Sequence, residues 1–372
     1  MLIDFITTPS RGNPTFLPPK SIFSIISDQK IRVCPTITYT DMPSIWAQPC
    51  QLIAKKPFDM RTYDASELDL KIDPNELKPL FKINSYLHAL AMVFNWAIIL
   101  GSIYLCLLFP SPWLYFLSVI VIGARMHALA ILMHDATHYR FLKNRKWNDL
   151  LSNYFTMYPI FTSIGKYRRN HLAHHQKLNT EDDPDWMAKL GNRAFTFPKS
   201  KTEFLLTVCS YFLLYQGFMD ALWFIKRFNK AGEKLPSTTE DKILKIVFYI
   251  LLFGGITWLG IWKYYLLFWI IPYFSTFYMF QYIRSVAEHF GGLTYDNLLT
   301  STRTVKPTLL ERFIFAPHHV GYHLEHHLYP GVPFYNLPKL HRLLMGQTQY
   351  VDRAHITQGY TVGLLQELSR TH

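Results

Sequence analysis

Four long apolar stretches restrict this chain to architectures in which several helices are covered by lipid. A helix that crosses the hydrocarbon core of a bilayer needs about 20 predominantly apolar residues, because each residue adds about 1.5 Å to a thickness of about 30 Å. Such stretches occupy residues 86–109, 112–133, 244–262 and 264–283. Very short connections follow the first and the third stretch. The sequence therefore predicts four transmembrane helices arranged as two hairpins.

The composition also favours a membrane protein. Of the 372 residues, 49% are hydrophobic and only 17% are charged, against roughly 25% charged in a typical soluble domain. The net charge of +12 raises the question of nucleic acid binding. The basic residues lie beside apolar segments, however, rather than in a stripe interleaved with exposed aromatic residues. We expect them to face lipid headgroups, and we expect no nucleic acid partner.

Clusters of basic residues orient the predicted spans. They follow the second span, precede a histidine-rich segment and follow the fourth span, so all lie on one side if the two hairpins are right. By the positive-inside rule that side is cytoplasmic. The clustered residues are Arg140, Lys143, Arg145, Lys146, Lys166, Arg168, Arg169, Arg284, Arg303 and Lys306.

The remaining segments are not predicted to span. Residues 1–80 are polar and rich in proline, which breaks helices repeatedly, and are interpreted as an extramembrane arm that precedes a membrane domain at 81–372. Phe204–Ile225 contains Gln216 and Asp220, and Leu150–Ile164 is too short to cross. Both are predicted to be helices that lie in the interface or pack on the bundle.

Eight of the 16 histidines fall in three short motifs, HDATH, HLAHH and HLEHH. On a helix, residues i, i+3 and i+4 project from one face, so each motif can present its rings to one point. Neutral imidazole is a good ligand for iron, copper, zinc and nickel. Eight ligands exceed the four of a tetrahedral zinc site and suit two metal ions with open positions. The eight are His134, His138, His171, His174, His175, His323, His326 and His327.

Motifs of several other enzyme classes are absent from the sequence. There is no HExxH of zinc proteases, no Glu-x-x-His pair of carboxylate-bridged iron bundles, and no GxGxxG or Walker loop. The four cysteines show no CxxC spacing, which argues against a zinc ribbon or a disulfide framework.

The order of the motifs limits the topology. All three must reach one site, so an even number of crossings has to separate each from the next. The second and third enclose the apolar pair at 244–283, which supplies two crossings. We therefore expect that Phe204–Ile225 does not span the membrane singly.

The three motifs, in this order and in this context, resemble those of the membrane fatty acid desaturase and hydroxylase family. The likeness covers roughly residues 83–345 and extends to RRNHLAHHQKLNTEDDPDW and HHVGYHLEHHLYPGVPFYNLPKLH. It implies an all-α integral membrane fold of about four spans, interfacial helices and a cytoplasmic histidine-rich catalytic cap. It also implies two iron ions per chain, O2 as co-substrate and a lipid acyl substrate. Since no fused haem, flavin or iron–sulfur motif is present, a separate electron donor of ferredoxin or cytochrome b5 type is expected.

The resemblance implies further site residues. A ligand from the end of the last span would be His289, and His319 lies four residues before His323, where it would be a ligand or a hydrogen-bond donor beside one. His318 and His341 are expected outside the site. Carboxylates that would accept the other ring N–H of a ligating imidazole are Asp135, Asp182, Asp183, Glu288 and Glu325.

Two residues of the second span are unusual for their depth. His127 lies seven residues before His134 on the same helical face and is a weaker ligand candidate. Arg125 would be costly at membrane depth, so we expect it to pair or to reach the interface. A link between Arg125 and substrate is conjecture from sequence alone.

The motifs leave the reaction open. The hypothesised chemistry is reductive O2 activation followed by hydrogen abstraction from a methylene. A second abstraction gives a double bond, whereas transfer of oxygen gives a hydroxyl. The alternatives are therefore a hydroxylase or ketolase of a lipid, alkane or carotenoid, and a desaturase of a small amino-acid-derived or other natural-product chain. A metal transporter is a distant alternative, because the predicted first and fourth spans contain no charged residue.

Overall fold

The structure, a computed structural model, describes residue 68 and residues 70–228 and 239–369. Most of the predicted arm at 1–80 lies outside the described residues. The α-helices of the described part are α1 (Pro74–Leu77), α2 (Ser85–Leu108), α3 (Pro112–Thr137), α4 (Arg145–Ser152), α5 (Ile164–Gln176), α6 (Pro184–Lys189), α7 (Lys201–Ser210), α8 (Tyr215–Phe228), α9 (Thr239–Trp258), α10 (Trp262–Tyr265), α11 (Tyr278–His289), α12 (Leu309–Ile314), α13 (His323–Leu328), α14 (Leu337–Leu344), α15 (Thr348–Arg353) and α16 (Leu364–Leu368).

Shorter helical turns connect these elements. The 3₁₀ turns are Lys78–Phe81, Tyr158–Ile160, Arg193–Phe195, Tyr211–Leu213, Pro317–His319 and Phe334–Asn336. The π-helical turns are Asn153–Met157, Leu266–Ile270, Tyr273–Phe277 and Gly359–Gly363. Strands β1 (Thr304–Lys306) and β2 (Ile356–Gln358) form a parallel pair in which Thr304 lies opposite Ile356. The predicted helical fold is thus confirmed in its main feature, and this small sheet was not predicted.

Within the described residues, three helical segments are long and apolar enough to cross a membrane: α2, α3 and Trp262–His289, which joins α10 to α11 through two π-helical turns. A fourth crossing is possible if the pair Lys201–Leu213 and Tyr215–Trp223 is one broken span, because its two halves are bent by 92°. This range of three to four includes the predicted number. The predicted span at 244–262 lies largely on α9, which is not one of the three.

The charge at the start of α9 explains this difference. Glu240, Asp241, Lys242 and Lys245 occupy its first two turns, so the uncharged part is reduced to Ile246–Trp258. Such a stretch is shorter than the roughly 20 apolar residues of a full crossing.

Helix α3 lies at the centre of the bundle. Pro112 occupies its first turn, where the missing N–H costs nothing. Most of its residues are buried, whereas α2 exposes apolar side chains such as Tyr86 and Phe94. Gly123 lets α3 approach the π-helical turn at 273–277, since a Cβ there would lie 2.0 Å from Thr276 Oγ1. Thr276 in turn donates to the Val119 carbonyl across the contact at 2.6 Å.

The C-terminal region folds over the end of α3. A buried cluster that includes Leu299, Leu324 and Leu340 holds α13 and α14 together. Glu325 in α13 is fully buried and accepts hydrogen bonds from Tyr350 at 2.8 Å and Thr304 at 2.6 Å. The last turn of α3 and helices α5, α11 and α13 are thereby brought to one place.

Candidate metal centre

Nine histidines converge there in two adjacent groups. Each contributes one ring nitrogen, and within each group these nitrogens lie within 4.8 Å of one another. The group of five consists of His134, His138, His171, His175 and His326. The group of four consists of His174, His289, His323 and His327.

In the group of five, the Nε2 atoms point at one another. His171 Nε2 lies 2.9 Å from His138 Nε2 and 3.0 Å from His175 Nε2. His326 Nε2 lies 3.0 Å from His175 Nε2. His134 Nε2 is buried and has no hydrogen-bond partner. Five converging ring nitrogens cannot all donate to and accept from one another, so their lone pairs suit a shared metal ion.

The group of four has the same form. His323 Nε2 lies 2.8 Å from His289 Nε2 and 3.0 Å from His327 Nε2. The ring of His174 closes the group, with centroids 4.7 Å from His289 and 5.1 Å from His327. The two groups touch, because the rings of His175 and His327 are 4.3 Å apart.

The helical spacing of the motifs distributes their rings between the groups. In α5, His171 and His175 are one turn apart and face the group of five, whereas His174 faces the group of four. In α13, His323 and His327 face the group of four. Adjacent residues on an α-helix project about 100° apart. A histidine one position further along the helix therefore faces the neighbouring group.

Helix α5 is fixed to α4 by a two-point ion pair. The guanidinium of Arg168 donates twice to the Asp149 carboxylate, at 2.6 Å for each bond. It also donates to the Thr137 carbonyl at the end of α3 at 2.9 Å. Such paired bonds fix direction as well as distance. The rotation of α5, and hence the aim of its three histidines, is set from outside the groups.

The electrostatics keep most of these imidazoles neutral. Burial lowers the pKa of His171 and of His326 well below the ordinary value of 6.5. Burial, with the charges of Arg140 and Arg168, lowers the pKa of His138 to about 4. Neutral imidazole is the form that binds a metal ion. An all-nitrogen set of this kind fits iron, copper, nickel or zinc, and nine donors in two groups fit two ions.

His174 differs because a carboxylate faces it. Its Nδ1 lies 2.8 Å from Asp183 Oδ2, and Asp183 is fully buried. Burial acts to lower the pKa of His174, but the charge of Asp183 and this hydrogen bond outweigh it, so the pKa is raised. The contact leaves Nε2 free for a metal ion, an arrangement typical of metal-ligating histidine. Asp183 also caps α6 through its other oxygen.

The other predicted carboxylates differ in position. Glu288 Oε1 lies 3.4 Å from His323 Nδ1 and accepts a hydrogen bond from Arg284 at 2.7 Å. Asp182 points to solvent, 3.9 Å from Lys177. Glu288 therefore lies beside a group histidine and Asp182 does not.

Glu325 and Asp135 support the backbone around the groups instead. Glu325 pairs with His341 and accepts from Tyr350, which fixes α13 within the cap. Asp135 Oδ1 accepts from the Phe334 backbone N–H at 3.1 Å, and its Oδ2 lies 3.4 Å from His88 Nδ1. His341 lies outside both groups.

His319 belongs to neither group, so its role as a ligand or as a donor beside one stays a prediction. His318 and His319 adopt left-handed backbone conformations, with φ of 54° and 58°, so His319 does not continue the helix that carries His323. Its ring contacts Tyr322, with centroids 6.2 Å apart. His318 also lies outside the groups. Burial, followed by the charge of Arg125, lowers the pKa of His318 to about 3.

His127 and Arg125 are both buried in α3. The His127 ring lies 6.2 Å from that of Phe280, and neither of its nitrogens has a hydrogen-bond partner. His127 belongs to neither group. Sequence reasoning did not identify two buried neighbours on α2, His88 and Asn95. Both are polar residues within an apolar stretch of sequence, which is the same pattern that singled out Arg125.

Comparison with known proteins points to the same family that the histidine motifs resemble. Residues 110–359 match the family described as fatty acid desaturase. The chain is 31% identical over 302 residues to dihydrorhizobitoxine desaturase of Bradyrhizobium elkanii, which covers 78% of this chain and 84% of the relative. It is 23% identical over 307 residues to an sn-1 acyl-lipid omega-3 desaturase (ferredoxin) of Nostoc, covering 77% of this chain and 80% of the relative. It is 22% identical over 249 residues to a fatty acid desaturase of Bacillus subtilis, covering 60% and 66%.

Proposed function

Since the chain belongs to the fatty acid desaturase family, we propose that it uses O2 to introduce a double bond into a fatty acyl or similar chain at a centre of two iron ions. The observation that carries this proposal is the pair of histidine groups. One group offers five ring nitrogens and the other four, and the two groups are in contact through the rings of His175 and His327. A single structural ion would need only one of them.

The nine histidines would hold the ions. Bound iron would supply the redox chemistry that activates O2, which no side chain of the described residues provides. The protein's own contribution is to fix and shield the groups. Asp183 holds His174 in the tautomer with the proton on Nδ1, and Glu288 lies within reach of His323.

Water is excluded by the apolar residues of α3 that precede the first motif. Leu129, Ile131, Leu132 and Met133 are all almost fully buried. They lie on the membrane side of the groups, where an aliphatic chain would arrive. Such an environment limits hydrolysis and proton leakage around a reactive site.

An acyl lipid is the first substrate class that we propose, because relatives from Nostoc and Bacillus are named for lipid or fatty acid desaturation. A second candidate is a small natural-product chain. The relative with 31% identity is named for dihydrorhizobitoxine rather than for a lipid, and it matches over more of its length than those two do.

We further propose that electrons come from a separate protein. The Nostoc relative carries ferredoxin in its name, and the sequence contains no motif for a fused carrier. A basic surface beside α5, with Lys166 and Arg169, would attract an acidic carrier. By the positive-inside rule we place this surface and the histidine groups on the cytoplasmic side.

The test is expression of the full chain in a host grown with iron, followed by profiling of both lipids and small organic acids. A product that lacks two hydrogen atoms relative to its precursor supports desaturation. A product that gains an oxygen atom supports the hydroxylase alternative instead. Purified protein should contain about two irons per chain without haem absorbance, and stoichiometric zinc or haem would refute the assignment.

Two histidine variants provide the control. His326→Ala removes a member of the group of five and should abolish the product. His319→Ala removes a nearby histidine that belongs to neither group and should preserve it. Equal loss in both variants would mean that the product depends on the stability of the fold rather than on the groups.

A further inference from the structure

A line of polar side chains runs beside α3 from membrane depth toward the histidine groups. Arg125 donates to Asn95 Oδ1 at 3.3 Å, and Asn95 Nδ2 lies 2.9 Å from His318 Nε2. The rings of His318 and His88 both contact Phe334, at 5.1 and 5.9 Å. His88 then leads to Asp135, which is adjacent in sequence to His134. Polar residues at this depth are rare and are a default indication of function.

Arg125 is the unusual member of this line because its charge has no counter-ion. It is only 2% exposed, so it does not reach the interface. It donates to the Phe313 carbonyl and to Asn95, both uncharged, and its Nε has no partner. Within the part of the chain that the structure describes, no carboxylate pairs with it. The expectation that Arg125 pairs or snorkels is therefore not met by the described residues.

An enclosed guanidinium without an anion is unfavourable, because burial removes its hydration and the two uncharged acceptors and the Phe313 ring repay only part of that loss. We propose that Arg125 binds the carboxylate of the substrate, which is therefore a free carboxylic acid with an aliphatic chain. This inference rests on the proposed desaturase function and specifies its substrate class. The geometry of the guanidinium suits it, since a planar carboxylate can accept two parallel N–H bonds.

The depth of Arg125 in the membrane favours a free acid over an esterified chain as the substrate. Nine residues of α3 separate Arg125 from His134, an axial rise of roughly 13 Å at about 1.5 Å per residue. Arg125 also lies near the middle of the spanning helix Pro112–Thr137. The phosphate of a glycerolipid remains at the headgroup level, and a bulky acyl carrier remains in water. Only a chain that carries its own anionic end can place it at Arg125 while a methylene lies at the histidine groups.

A partly exposed aromatic side chain lies over Arg125. The Phe313 ring stacks over the guanidinium with its centroid 4.1 Å away, and Phe313 is 39% exposed. It belongs to the short helix α12, whose Leu309 and Leu310 are largely exposed. We expect a substrate carboxylate to reach the guanidinium by displacing this partly exposed ring.

The test uses the purified full chain in detergent and measures the thermal midpoint with decanoate, stearate or methyl decanoate. We expect decanoate, but not its methyl ester, to raise the midpoint of the wild type. Stabilisation by decanoate alone indicates a short acid, whereas stabilisation by stearate as well indicates a free fatty acid. An equal effect of acid and ester, or no effect of any probe, overturns the proposal.

Substitutions identify the residue responsible. Arg125→Met should lose the response to decanoate, whereas Arg125→Lys should keep part of it. Asn95→Asp places a carboxylate of the chain itself beside the guanidinium, so it should raise the midpoint without ligand and remove the response. The matched control is Arg312→Met, which removes an exposed charge one residue from Phe313 and should respond like the wild type. A normal response in Arg125→Met would refute the assignment.

Failure of this inference is distinguishable from failure of the proposed function. For a free acid that the enzyme desaturates, Arg125→Met should raise KM at least tenfold with a smaller effect on kcat. Desaturation of an esterified lipid with unchanged kinetics in Arg125→Met would keep the proposed function and overturn the role of Arg125. Acid binding without any desaturation would support the role of Arg125 and overturn the proposed function.

Discussion

Replacement of Asp183 by asparagine changes two hydrogen bonds at the group of four without changing the size of the side chain. Asp183 Oδ2 accepts from His174 Nδ1 at 2.8 Å and from the Asn179 backbone at 2.9 Å. Oδ1 accepts from the backbone N–H groups of Asp185 and Trp186 at 2.9 and 3.1 Å. Whichever way the new amide is oriented, its NH2 group faces two N–H donors.

The magnitude follows from these contacts. A buried donor left without an acceptor costs about 1–3 kcal/mol, so two cost roughly 2–6 kcal/mol of folding free energy. If the amide keeps its oxygen toward the cap of α6, His174 loses the acceptor that fixes its ring. Loss of such a support lowers metal affinity about 10- to 100-fold. Both the midpoint of unfolding and the iron content should therefore fall in Asp183→Asn.

The assay is iron content per chain after equilibration with a series of ferrous chelators, together with the thermal midpoint. Asp182→Asn is the matched control, because it makes the same chemical change at the neighbouring residue. The Asp182 side chain is 73% exposed, and its ion pair with Lys177 is 3.9 Å long, so we expect no change in either quantity. If the two variants hold iron equally well, Asp183 does not support a metal ligand and the reasoning is wrong.

Three further predictions concern other parts of the molecule. His323→Ala should lose iron from the group of four, whereas His319→Ala should keep it; equal iron contents would contradict the grouping. Gly123→Ala should lower the thermal midpoint, because overpacking costs typically 1–3 kcal/mol, whereas Gly101→Ala, with open space around the new Cβ, should not; a stable Gly123 variant would refute the close helix contact. Burial lowers the pKa of His138 to about 4, so protons compete with metal at this ligand only below that pH. Iron in the group of five should therefore be retained as the pH falls through about 6.5, the ordinary histidine value. The group of four should be the more acid-sensitive one, because burial is outweighed at His174 by Asp183, which raises the pKa of His174. Loss of both ions near pH 6.5 in a pH series would contradict the low pKa of His138.

Much of the helical framework follows from local sequence. The apolar runs that became α2 and α3 are long, the run at 112–133 contains a single charge at Arg125, and Pro112 marks its start. The clustering of the motif histidines was also foreseeable, because spacing of three and four residues places rings on one face of a helix. His289 followed from the family resemblance, and the structure brings it next to His323.

The division of the rings into groups of five and four was not foreseeable. It depends on the rotation of α5, which the Arg168–Asp149 pair fixes, and that contact joins separate helices. The position of His319 outside both groups was not foreseeable either, because spacing of four residues places rings on one face only within a continuous helix, and the backbone turns left-handed there. Sequence also could not show that Arg125 has no carboxylate partner among the described residues, because that depends on tertiary packing.

The sharing of α5 and α13 between the two groups has a consequence for how the protein acquires metal. Each of these helices contributes rings to both groups, so an ion bound in one group orders the backbone that the other group needs. The second ion then binds at a lower entropic cost than the first. Loading should therefore be cooperative, and a cell short of iron should hold a mixture of empty and fully loaded chains rather than a population with one ion each. Under the proposed function, enzyme activity in such a cell would then fall in proportion to the number of loaded chains, while each loaded chain keeps its full turnover rate.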